Sequence, residues 1–265
     1  MLDQPRSWRL ERNGNATFVA VAAEFACIAE SSAVEPRGFR HPAWQLVLST
    51  GAPVVVRDER GASVTGPGIL VSPRTFRVFR YPAGYVSLWI DPYRLAGAPG
   101  IHALDDAQAT RLLSGLGTEL EPDRLGAALD RALGATASLD PRVRRALELL
   151  EDGYSAEELA RRVGLSPRRL RQLCSHTVGC SLSTLRRWHA LREAVVQLPF
   201  RPTAEVAVQT GFADQSHLVR TTVAMGGVTP GAMFARWRAT GLDPSVGIPT
   251  PKEQLMFRTT SLKTL

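Results

Sequence analysis

From Asn15 to about Ile90 the apolar residues come in short runs, TFVAVAAEFACIAE, AWQLVLS, APVVVRD, GILVSP, FRVFRY and YVSLWID, each closed by Gly, Pro, Asn or charged residues. Runs of that length at near-regular spacing predict short strands in a sandwich or small barrel. From about Leu104 the period changes. DDAQATRLLSGLGTEL and PDRLGAALDRALGA repeat apolar residues three and four apart, as amphipathic helices do. Their apolar faces need cover, either from the outside of the β-structure or from the same helices of a second subunit. At TASLDP, Asp140 is a candidate N-cap and Pro141 suits the first helical position, which sets a domain boundary there. Onward to about Thr240 the pattern is one of short helices broken by Gly or Pro. The tail from Gly241, with Pro244, Pro249 and Pro251, reads as mobile chain or surface wrapping. The expected fold is α+β: a β-domain with two amphipathic helices over 1–136, an all-α domain over 137–240, and a tail over 241–265.

Within the helical part, EELARRVGLSPRRLRQLC (157–174) meets the demands of a helix-turn-helix. Such a unit needs a small residue where its helices touch, a Gly for the left-handed turn, and apolar packing between the helices. Ala160 and Gly164 fill the first two positions, and Leu159, Val163, Leu165, Leu170 and Leu173 supply the third. Ser166 and Pro167 cap and start the second helix. That helix presents Arg168, Arg169, Arg171 and Gln172 away from Leu170 and Leu173. Arg and Gln have the geometry for paired hydrogen bonds to guanine and adenine edges.

The pattern recurs about 47 residues later in AEVAVQTGFADQSHLVRTTV, where Ala207 and Gly211 repeat the spacing of Ala160 and Gly164. Val206, Phe212 and Leu218 pack, Asp214 caps, and Gln215, Ser216, Val219 and Arg220 face outward. Between the units, Leu182, Leu185, Trp188, Leu191, Val195 and Leu198 form one helical stripe, expected to be a rigid spacer. Arg186, Arg187 and Arg192 on that helix are read as touching phosphate or as merely solvated.

Charge sharpens this picture. The chain has 265 residues, 44% hydrophobic and 22% charged, with a formal net charge of +7. Those are ordinary globular proportions, which exclude a wholly disordered or fibrous chain. Residues 1–135 carry 14 Arg against 14 acids, so the whole excess lies in the second half. Over 161–240 there are 12 Arg against Glu193, Glu205 and Asp214, the footprint of a polyanion partner. No run approaches the length of a membrane span and the first residues lack a signal-peptide core, so the expected location is cytoplasmic, with no membrane partner. Cys27, Cys174 and Cys180 are too scattered for a disulfide framework or a zinc site.

Residues 140–238 resemble the DNA-binding domain of the AraC/XylS family of bacterial transcriptional regulators. The most specific match is GFADQSHLVR followed by GGVTPGAMFARWR, through Gly211, Phe212, Asp214, Ser216, His217, Leu218, Arg220, Gly227, Thr229 and Pro230. The resemblance implies seven helices holding two units, whose recognition helices enter two successive major-groove segments on one face of double-stranded DNA. It implies reading roles for Arg168, Arg171 and Gln172 in the first unit and for Gln215, Ser216, Val219 and Arg220 in the second. Cys174 and Thr222 depart from the usual Phe ending each recognition helix, which predicts looser cores. Val223 and Ala224 stand where basic residues are usual, and Gln172 where Arg is common.

The resemblance also implies a cupin-like β-barrel in residues 15–95 that senses a small molecule or mediates homodimerisation, and RNA polymerase as a partner if the protein is an activator. GPGILVSPRTFRV (66–78) resembles the second cupin motif, but Arg74, Phe76 and Arg77 stand near the position of its metal-ligating His. His41 has no partner His and His102 falls outside the expected strands, so no metal or other cofactor is called for. Arg74 and Arg77 with Trp44 are the candidate effector-binding residues, an inward Arg over aromatics suiting a carboxylate. The contrary reading is that these Arg point outward. No nucleophile–base pair or phosphate-cradling loop indicates an enzyme; the alternative function is a cupin-type enzyme or small-molecule binding protein with a helical scaffold.

Overall fold

The computed structural model describes residues 17–22, 25–30, 37–82, 84–116, 122–134, 139–150, 153–198 and 201–233. Among the described residues, ten strands lie in the first half: β1 Thr17–Ala22, β2 Phe25–Glu30, β3 Phe39–Arg40, β4 Trp44–Ser49, β5 Val54–Arg57, β6 Ser63–Gly66, β7 Gly68–Val71, β8 Phe76–Arg80, β9 Tyr85–Ile90 and β10 Ile101–Leu104. They pair antiparallel into a six-stranded sheet, β1-β2-β9-β4-β7-β10, and a four-stranded sheet, β3-β8-β5-β6. The run TFVAVAAEFACIAE is thus a hairpin of two strands rather than one. His102, expected outside the strands, lies in β10, paired with Leu70 of β7.

The central strand β4 is buried at all six positions, because its two faces serve two cores. Val47 joins Ile69, Val71, Val54, Val56, Phe79, Tyr81 and Tyr85 between the sheets. Trp44, Leu46 and Leu48 point the other way, with Leu88 and Ile90, onto helices α1 (Asp106–Leu116) and α2 (Pro122–Leu133). Leu112, Leu116, Leu125 and Leu129 of those helices are almost wholly buried in that layer. Of the two covers open to α1 and α2, the chain uses its own β-structure. The helices approach closely where Gly115 faces Ala128, since a Cβ on Gly115 would lie 2.4 Å from that of Ala128.

Seven helices follow among the described residues: α3 Pro141–Leu150, α4 Ala156–Arg162, α5 Pro167–Thr177, α6 Leu182–Gln197, α7 Thr203–Gln209, α8 Gln215–Gly226 and α9 Pro230–Met233. Asp140 caps α3 as its sequence suggests, its Oδ1 accepting the Arg142 amide at 2.8 Å. The expected mobile tail over 241–265 lies outside the described residues. Among the described residues, no helix is long and apolar enough to cross a membrane.

Candidate nucleic-acid interface

The two units are built by the same local rules. In the first, the Ser155 side chain accepts the Glu158 amide while Glu158 accepts the Ser155 amide, a capping box that starts α4. The chain leaves α4 through Gly164 at φ +66°, and the Leu165 amide donates to Ala160 O at 2.9 Å. Ser166 accepts the Arg169 amide and Pro167 opens α5. The second unit repeats the turn position for position. Gly211 stands at φ +81°, the Phe212 amide donates to Ala207 O at 2.8 Å, and Asp214 accepts the His217 amide to start α8. A left-handed residue at each turn is cheap only for glycine.

Burial then assigns the faces. On α5, Leu170 and Cys174 are fully buried, whereas Arg168, Arg169, Arg171 and Gln172 are exposed. On α8, Leu218, Thr221, Thr222 and Met225 are buried; Gln215, Ser216 and Arg220 are exposed and Val219 is half-buried. Each expected reading set therefore lies on the free side of its helix. The α6 stripe is buried at Leu182, Leu185, Trp188, Leu191 and Leu198, with Val195 packed at the margin. Arg186 and Arg187 are exposed, and the Arg186 guanidinium donates to the Tyr154 carbonyl.

Arg192 is neither of the things its sequence position suggested. It is 6% exposed and donates through Nη1 to Asp91 Oδ2 at 3.0 Å. Asp91 directly follows β9 and is fully buried. Its Oδ1 also accepts the Trp188 indole Nε1 at 2.7 Å, and its Oδ2 the Tyr93 hydroxyl at 2.7 Å. His189 Nε2 stands 3.7 Å from the same carboxylate, and burial lowers that imidazole to about 4 against the pull of Asp91. One carboxylate of the β-half thus grips α6. Beside it His41 meets Trp188 edge-on at 4.4 Å and Trp89 at 5.9 Å, held neutral by burial first and then by the Arg77 charge. Nothing in the sequence distinguished Asp91 from a turn carboxylate, although the i, i+4 spacing of Trp188 and Arg192 put both on one face of α6.

Among the described residues the β-half also touches the helical half elsewhere. Arg74 Nη1 donates to Gly179 O, between α5 and α6, at 3.1 Å. Gly227, the left-handed C-cap of α8, lies against Arg37 and Phe39. A small apolar cavity of about 40 Å³ lies between the halves, lined among others by Cys27, His41, Trp89, Trp188, Thr222 and Met225. Thr222, where a looser core was expected, lines this cavity and returns its hydroxyl to Leu218 O at 2.9 Å.

The candidate effector residues are not brought together. Trp44 lies in the layer under α1 and α2, and Arg74 is exposed at the seam. Only Arg77 points between the sheets. Its Nε donates to Gln45 Oε1 and its Nη1 to Thr75 O, both at 2.9 Å, and its guanidinium lies 5.0 Å over the Phe39 ring. Gln45 in turn donates to Tyr81 and Ser87. Arg77 Nη2 is buried without a hydrogen-bond partner, and burial lowers the group to about 9. Among the described residues no group of His, Cys, Asp and Glu is placed to hold a metal ion. The three cysteines are free and buried, with burial pushing their thiols up to about 11 or 12.

Comparison with known proteins agrees with this geometry. Residues 159–236 match the family described as a helix-turn-helix domain. No curated protein is similar in sequence. Among solved structures, a point variant of ToxT from Vibrio cholerae without ligand is 11% identical, covers 84% of this chain and 99% of its own, and superposes with a TM-score of 0.54. A second ToxT structure is 12% identical, with coverage of 83% and 100% and a TM-score of 0.53. An AraC-type regulator from Chromobacterium violaceum is 22% identical over 39% of this chain and 96% of its own, with a TM-score of 0.34. The likeness to ToxT is one of fold, an N-terminal β-sheet half followed by a helical half. Within the helical half, residues 159–236 carry an AraC-type helix-turn-helix domain.

Proposed function

We propose that the chain is a sequence-specific DNA-binding regulator whose two units read two successive major-groove segments on one face of a duplex. The observation that carries this is the outward set on each recognition helix: Arg168, Arg169, Arg171 and Gln172 on α5, and Gln215, Ser216, Val219 and Arg220 on α8. Arg is suited to guanine O6 and N7, and Gln to adenine N6 and N7. Exposed Arg186 and Arg187 add charge for phosphate. In this reading residues 137–240 are the DNA-binding domain and residues 1–136 are a cupin-like regulatory domain. Selection of bound fragments from random duplexes, followed by footprinting, tests it. The expected result is one preferred sequence with two protected segments roughly ten base pairs apart. Equal binding to all duplexes would refute it.

Control acts through the β-half, by a small molecule or by pairing of two copies, with RNA polymerase as a further partner if the protein activates. Buried Arg77, with one guanidinium nitrogen unpartnered between the sheets, favours an organic anion as effector. ToxT has been crystallised with an unsaturated fatty acid and with a naphthalenyl butenoic acid, both carboxylic acids. Thermal shift with a panel of carboxylic acids, on the native chain and on Arg77→Met, tests the anion reading. Stabilisation of the native chain alone is expected; equal shifts, or none, would refute it.

A further inference from the structure

The two units do not share a core. The first is built from Leu159, Ala160, Leu170 and Cys174 with Leu182 and Leu185 from the start of α6. The second is built from Val206, Phe212, Leu218 and Met225 with Trp188, Leu191 and Leu198 from later in α6, and that cluster also contains Ala26, Ala43 and Trp89 of the β-half. The β-half therefore supplies part of the second unit's interior. Among the described residues, the first unit's hydrophobic cluster includes from the β-half only Tyr93, at its margin.

The attachment points follow the same asymmetry. Asp91 holds Trp188 and Arg192, on the stretch of α6 that packs the second unit, and Gly227 at the end of α8 rests on Arg37 and Phe39. Arg74 reaches the turn before α6 through a single hydrogen bond. None of this covers the reading face of α8. Contact with the β-half runs through Thr222, Met225 and Gly227, while Gln215, Ser216 and Arg220 remain exposed. A docked β-half of this geometry supports the second recognition helix without blocking it.

We propose that Asp91 is a positioning residue for DNA reading by the second unit: it meets no DNA itself, but by holding Trp188 and Arg192 it fixes α8 where the second DNA segment is read. The inference rests on the two-segment reading above. A buried carboxylate that accepts three hydrogen bonds is strongly specified, and replacing it leaves donors without the acceptor they were built around.

The test uses the full chain and the duplex selected by the native protein, with each half-site scrambled in turn; Arg171→Ala and Arg220→Ala assign the half-sites to units. In the native chain scrambling either half-site should cost about tenfold or more in affinity. In Asp91→Asn, scrambling the first unit's half-site should still cost that much, whereas scrambling the second should cost less than about twofold. Retention of the first half-site shows within the same experiment that the variant is folded. Trp188→Phe, which deletes one hydrogen bond and keeps most of the ring, should show the same selective loss in smaller measure, and stands in if Asp91→Asn does not fold. Equal loss at both half-sites, or no loss, would overturn the proposal. Tighter binding at the second half-site would overturn it too, by making the docking inhibitory. A native chain that reads a single segment would defeat the two-segment reading itself, a result distinct from variants that go on reading two.

Discussion

Three left-handed glycines offer a controlled comparison, because Gly164, Gly211 and Gly227 have nearly the same φ, +66°, +81° and +75°. They differ in what surrounds them. A Cβ added at Gly164 or Gly211 would meet nothing within 4 Å, whereas at Gly227 it would lie 2.4 Å from Arg37 O and 2.8 Å from a ring carbon of Phe39. Alanine in the left-handed region costs roughly 1–2 kcal/mol, offset by about 0.4–1 kcal/mol of lost freedom in the unfolded chain. Gly164→Ala and Gly211→Ala should therefore each destabilise by about 1 kcal/mol. At Gly227 a backbone carbonyl and a packed ring must also move, which adds about 1–3 kcal/mol. Thermal unfolding reads the difference: at roughly 2–4 °C per kcal/mol for a chain of about this size, Gly227→Ala should melt several degrees below the other two. Urea titration at constant slope would confirm that the change is one of stability. If all three variants melted together, the contact between the α8 C-cap and the β-half would not exist in solution, and the shared core would fall with it.

Other outcomes are equally checkable. The Arg excess over 161–240 should make affinity for the selected duplex fall by an order of magnitude or more between about 50 and 200 mM salt, measured by anisotropy, and a flat profile would refute the electrostatic argument. Arg171→Ala should relax discrimination at one or two base positions by about 1–3 kcal/mol in a repeat of the selection, and an unchanged preferred sequence would mean that α5 does not read with this face. His41 and His189 are both held below their ordinary value, so the unfolded chain takes up protons first as pH falls below about 6.5. Stability should be full above that point and decline toward about pH 4, with His189 alone worth of order 2 kcal/mol by pH 5. A urea midpoint equal at pH 7.5 and pH 5 would contradict this.

The helical half was legible because its signals are local. Ser166, Pro167, Gly164, Gly211 and Asp214 each act within a few residues of themselves, so cap and turn chemistry located both units without reference to anything distant. The β-half was harder for the opposite reason. β3 has two residues, β6 reads SVTG and β10 is only the four residues IHAL, too short or too polar to mark a strand alone; β3 and β10 take their places from partners some thirty residues away in the chain. β4 hid its alternation because both of its faces are buried. The alternation of β8 put Arg77 inward and Arg80 outward, which settles for Arg77 the choice the sequence left open. Asp91 and Arg192 escaped because a pair joined across about a hundred residues carries no local mark.

The shared core of the second unit bears on how such a chain can be altered by recombination. Regulators assembled from separable modules tolerate exchange of one half for another, since only a linker must be rejoined. Here a graft that kept α6 to α8 but replaced the β-half would bring Trp188, Arg192, Thr222 and Met225 against a foreign surface lacking Asp91, His41, Ala43 and Trp89. A working chimera would have to carry those four positions across with the helices, so inheritance of this seam should follow the second recognition helix and not the rest of the β-half.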